Sequence, residues 1–102
     1  MEYVDIINRI SELRTRENLS ARKLSCLIDK NDSYINGLET RKNFLPTMEV
    51  LLEIIKVCNS NVTEFFYYSL SAYKNDKEII ELLQKATPDL RVAVLSILRA
   101  KS

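Results

Sequence analysis

Between Tyr3 and Leu13, apolar positions recur at helical spacing: Tyr3, Ile6, Ile7, Ile10 and Leu13 share a stripe, and Arg9, Glu12, Arg14 and Arg16 fall on the other side. Steps of three and four residues gather side chains on one helix face, so the pattern predicts a first helix ending near Asn18. Ser20 offers a hydroxyl acceptor to the free N–H groups of a short second helix, whose stripe is Leu24, Leu27 and Ile28. After a polar break at Asp29-Lys30-Asn31, Asn31 or Asp32 can cap a third short helix that turns Ile35 and Leu38 inward and runs to about Glu39. The stretch from Thr40 to Pro46 has no period, and Pro46 disfavours helical geometry just before it, which predicts a loop. Thr47 then caps a fourth helix with Met48, Leu51, Leu52, Ile55 and Cys58 on its stripe. Asn61 and Glu64 have capping-box spacing and start a fifth helix at Val62, carrying the aromatic run Phe65-Phe66-Tyr67-Tyr68. Lys74-Asn75-Asp76-Lys77 reads as a break before a sixth helix marked by Ile79, Ile80, Leu83 and Ala86. Thr87-Pro88-Asp89 combines a cap, a preorganised first residue and a charge suited to the helix dipole, and opens a seventh helix with Leu90, Val94, Ile97 and Leu98.

Composition agrees with an all-α chain. Its 102 residues make one domain's worth, 46% of them hydrophobic, and a single glycine with two prolines is too few for the turns of a barrel or sandwich. The absence of histidine removes the commonest general base and zinc ligand, and no glycine-rich phosphate loop is present. We therefore expect no enzyme activity, no catalytic residue, no metal, no cofactor and no small-molecule substrate. Cys26 and Cys58 are expected as free, buried thiols of a reducing compartment, and Glu78 and Glu81 as a solvated helix face. The N-terminal residues lack a signal-peptide pattern and no apolar run is of membrane-spanning length, so the expected location is cytoplasmic.

Two short helices separated by a break of about three residues, with a helix before and another after, have the layout of a helix-turn-helix. The residues from Ile10 to Phe66 resemble the phage-repressor or Cro-type (XRE-type) helix-turn-helix family. The resemblance lies in Leu19-Ser20, Leu24 and Ile28, Ser33-Tyr34-Ile35 and Leu38-Glu39, then Leu45-Pro46, Leu51-Leu52, Ile54-Ile55 and Val62-Thr63-Glu64-Phe65-Phe66. It implies a five-helix lambda-repressor-like DNA-binding bundle over residues 1–68. The C-terminal extension over 69–102 reads as a helical hairpin whose stripes either fold back on the bundle as extra core or, as the resemblance implies and we favour, pair subunits into a homodimer. The resemblance further implies a transcriptional regulator, in the first place a repressor, whose third helix enters the major groove of double-stranded DNA.

On that geometry the short polar side chains near the start of the third helix, Asn31, Asp32, Ser33 and Asn36, are the candidates for base edges: Asn pairs with adenine, Asp accepts from cytosine, and Ser is permissive. Ser20 and Ala21 would stand at the backbone with the amides of the second helix, and Arg22, Lys30, Arg41, Lys42 and Asn43 are the further phosphate candidates. Arg14, Arg16 and Lys23 could line the same surface. Departures from the family pattern are Asp29 and Arg41 at usual glycines, Ala21 at a usual glutamine, and Gly37 where a long polar base reader is common. Charge is nearly balanced, at +1 for the chain, with eight Lys and Arg against seven Asp and Glu in residues 1–45. These features leave a second reading, a protein-interaction module of adaptor or antirepressor type on the same fold that does not bind an operator.

Overall fold

The computed structural model describes residues 1–102 as seven α-helices without a strand: α1 (Tyr3–Arg16), α2 (Ala21–Leu27), α3 (Tyr34–Arg41), α4 (Met48–Val57), α5 (Val62–Phe65), α6 (Leu70–Lys85) and α7 (Pro88–Lys101). Most begin where a side-chain oxygen accepts an otherwise orphan amide. Ser20 accepts from Lys23, Thr47 from Val50, Asn61 from Glu64, Ser69 from Ala72 and Thr87 from Leu90. The helix ends have to be closed without glycine. Asn18 (φ 56°), Asp29 (φ 57°), Lys42 (φ 54°) and Asn59 (φ 55°) adopt the left-handed conformation after α1 to α4 respectively. After α1, α2 and α4 the next residue donates its amide back across the last turn, Leu19 to Arg14 at 3.0 Å, Lys30 to Ser25 at 2.9 Å and Ser60 to Ile55 at 3.0 Å. Asn and Asp visit this region at lower cost than other side chains, which explains how Asp29 sustains the turn between α2 and α3.

Two compact units divide the chain, Met1–Phe66 and Tyr67–Ser102. The first holds the whole buried core: Ile7, Ile10 and Leu13 from α1, Leu24 and Ile28 around α2, Ile35 and Leu38 from α3, Leu51, Ile54, Ile55 and Cys58 around α4, and Phe65 from α5. Buried Arg9 ties α1 to α5, its Nη1 donating to the carbonyls of Phe65 at 2.6 Å and Glu64 at 3.1 Å. Arg16 pairs with Glu64 at 3.0 Å and donates to the Cys58 carbonyl at 3.2 Å, closing the bundle at the far end of α1.

Several expected positions differ. Tyr3, Leu27, Met48 and Leu52 stand exposed on the edges of their stripes, and the inward row of α4 is Leu51, Ile54, Ile55 and Cys58. Periodicity locates a face but not its width, which depends on the neighbours that cover it. Cys58 is buried, but Cys26 is exposed, because it lies on the side of α2 opposite Leu24 and Ser25. The third helix starts at Tyr34, later than Asn31 or Asp32, and extends past Glu39 to include Arg41. α5 ends at Phe65, so Phe66, Tyr67 and Tyr68 follow it instead of lying on it.

The second unit is where the pattern misled most. Lys74-Asn75-Asp76-Lys77 is no break: α6 starts at Leu70 and runs straight through it. A polar run interrupts a helix when it puts charge on a buried face, and neither α6 nor α7 buries any residue. Asp76 also accepts from the Tyr67 hydroxyl, whose pKa this bond to a carboxylate pushes up to about 12. Tyr67 stacks on Tyr68 with ring centres 5.0 Å apart and meets Tyr73 edge-on at 5.4 Å. With Ile79, Ile80, Leu82, Leu90, Val92, Leu95, Ile97 and Leu98 all exposed, the two helices do not close on each other as a hairpin with its own core.

Candidate nucleic-acid interface

α3 is held by two polar devices on its inner side. Ser33, the residue preceding the helix, makes no side-chain cap. The acceptor comes instead from α2: the fully buried Ser25 hydroxyl accepts the Ile35 amide at 3.0 Å while donating to the Ala21 carbonyl at 2.8 Å. A single hydroxyl thus satisfies an orphan amide at the start of α3 and fixes the two helices against each other. Towards the other end, Glu39 receives Arg14 of α1 through Nη2 at 2.8 Å and Nε at 3.0 Å, together with the Ser11 hydroxyl at 2.6 Å. The same Arg14 donates to the Leu19 carbonyl at 2.9 Å, so one guanidinium links α1, the turn before α2, and α3. With Ile35 and Leu38 buried between these anchors, the rotation of α3 about its own axis is set.

The outward side is therefore also set. It carries Ser33, Asn36, Thr40 and Arg41 as exposed side chains, with half-buried Gly37 between them. A Cβ built at Gly37 meets nothing within 4 Å, so this position is open space over the middle of the helix. The four predicted base candidates are all exposed, but three of them are engaged locally. Asn31 Oδ1 accepts from the Ser33 amide at 3.1 Å and the Ser33 hydroxyl at 2.9 Å, a turn that leads into α3. Asp32 pairs with Arg22 at 3.3 Å and accepts from Cys26 Sγ at 3.5 Å. Asn36 keeps its side-chain amide free on the helix surface.

The cations predicted to line this side divide in the same way. Arg14 and Arg16 are consumed by internal partners and belong to the bundle. Arg22, Lys23 and Lys30 are exposed around α2, with Lys30 Nζ 5.4 Å from the centre of the Tyr34 ring. Tyr34 itself is half-buried, and that burial raises the pKa of its hydroxyl. Arg41 is exposed and unpaired on the last turn of α3, while Lys42 turns back to Asn8 Oδ1 at 3.0 Å. Ser20 caps α2, Ala21 is half-buried behind it, and Asn43 is exposed beyond α3. A groove of about 450 Å³ beside the α2–α3 turn is lined by Ile28, Asp29, Lys30, Glu49, Val50 and Glu53, which places three carboxylates around Lys30.

Ser25, Glu39 and Thr40 were absent from the residues predicted from sequence. Ser25 left a readable trace, a polar residue at the helical spacing of Ile28 within an otherwise apolar face. Glu39 enters the sequence reading only at the end of the third helix and beside Leu38 in the family resemblance, without a role, because its partners lie 25 and 28 residues away. Compared with known proteins, the chain matches no protein-family model, no curated protein and no solved structure. No helix is long and apolar enough to cross a membrane.

Proposed function

We propose that the chain is a sequence-specific DNA-binding transcriptional regulator, a repressor acting by occlusion, and that α3 is its reading helix. The observation that carries this reading is the outward row Ser33, Asn36, Thr40 and Arg41, presented on a short helix whose inner side is locked by Ser25 and Glu39. A major groove about 12 Å wide accepts one such helix, and short polar side chains suit its base edges. Lys23, Lys30 and Arg41 supply cations for the flanking phosphates, where register is set without sequence information, while Arg22 is held in an ion pair with Asp32. Asn36 is the principal base reader, able to pair bidentately with adenine.

A single helix of this length reaches only a few base pairs, so selective binding calls for two copies on half-sites about 34 Å apart. The exposed apolar side chains of α6 and α7 support a homodimer made through this unit. One observation favours the protein-interaction reading instead: Met1–Phe66 carries nine Lys and Arg against ten Asp and Glu, so the bundle has no net basic field.

Fluorescence polarisation with random-sequence duplex separates the two. A DNA binder loses more than about tenfold in affinity between roughly 50 and 200 mM salt, because each neutralised phosphate releases counterions. Arg41→Ala is expected to weaken all duplexes alike and to lower the salt slope by about one. An adaptor binds negligibly at either salt.

A further inference from the structure

Asp32 lies immediately before the Ser33 that leads into α3, its negative charge opposes a duplex there, and both of its oxygens are held by α2. Arg22 Nη2 lies 3.3 Å from Oδ2, and Cys26 Sγ lies 3.5 Å from Oδ1. The turn around it is pinned by Asn31, which takes both the amide and the hydroxyl of Ser33. We propose that Asp32 is a positioning residue that withholds Arg22 from backbone phosphate, releasing it only where the facing base offers an exocyclic amino group to the carboxylate. This rests on the DNA-binding reading above and adds to it a source of specificity.

The argument is one of competing partners. The two side chains are 77% and 62% exposed, and ion pairs that wet are weak, so a phosphate can take Arg22 from Asp32. The carboxylate is then left without a cation in the negative potential of the duplex. In the major groove the groups that can satisfy it are the amino groups of cytosine and adenine; guanine and thymine edges present only acceptors or a methyl. A site lacking an amino group on the facing strand therefore either leaves Asp32 unpaired or leaves Arg22 unused. Discrimination comes from a penalty on wrong sites, which suits a bundle without a general basic field.

The test is a double-mutant cycle in the full chain, read by polarisation against random-sequence duplex and against a duplex selected by the unmodified protein from a random pool. Asp32→Asn is expected to tighten random-duplex binding about three- to tenfold, to steepen the salt slope by about 0.9, and to narrow the preference for the selected duplex. Arg22→Ala is expected to change random-duplex binding by less than about twofold when Asp32 is present, and to cancel the gain when combined with Asp32→Asn. Asp32→Glu, which keeps the charge, is expected to retain the original slope. A purely structural Asp32 would leave the slope unchanged in Asp32→Asn, and that result overturns the proposal. So does an Arg22→Ala loss of equal size with and without Asp32. Absence of duplex binding by the unmodified protein at both salts removes the DNA-binding reading itself and this inference with it, whereas binding without coupling removes the inference alone.

Discussion

The two cysteines show how far identical chemistry is separated by position on a helix. Cys58 follows Ile54 and Ile55 into the core, and burial, with Glu17 nearby, pushes its thiol pKa up to about 11 from an ordinary 9.0. Cys26 is exposed beside Asp32. A thiol reagent at neutral pH is therefore expected to modify Cys26 alone, with Cys58 reacting only after denaturation, as counted by mass spectrometry. The pH dependence has a definite sign. Because the native thiol holds its proton more tightly than the unfolded one, the stability it contributes is complete below about pH 9 and is lost as pH rises through about 11. Urea midpoints measured across that window should fall less steeply in Cys58→Ala than in the unmodified chain.

For the elements, helix starts were the most legible feature, since Ser20, Thr47, Asn61 and Thr87 all cap where their spacing to an apolar stripe indicated. These interactions span three residues and need no tertiary information. α3 departed from this rule because its acceptor is supplied from another helix, by Ser25. Ser25→Ala would leave the Ile35 amide buried without a partner and is expected to cost about 1–2 kcal/mol in chemical denaturation. The same change is expected to weaken duplex binding, because the angle between α2 and α3 loses its link, whereas Ser33→Ala should leave stability almost unaltered. The polar run in α6 was misread for the complementary reason. Polar residues break a pattern only where there is a buried face to break.

At the scale of the whole molecule, every core residue falls in Met1–Phe66, and α6 and α7 bury nothing of their own. A chain shortened to residues 1–66 is therefore expected to keep a cooperative thermal transition close to that of the full chain. Sedimentation should give a dimer for the full chain and a monomer for the fragment; two monomers would remove the dimer from the proposed function. The charge balance also belongs to this scale. With net charge near zero, duplex affinity has to come from the arrangement of a few cations, and internal ion pairs with Glu39 and Glu64 take two arginines out of that set.

Local chemistry was enough to define an all-helical chain and the approximate order of its helices, because caps and stripes act within a few positions of one another. Which cations and carboxylates remain free was decided only when distant segments met. Arg14 finds Glu39 25 residues on, Arg16 reaches the Cys58 carbonyl 42 residues on, and Lys42 returns to Asn8. A charge in a sequence has no partner until the chain folds, and the outward face of α3 is composed of what those pairings leave over.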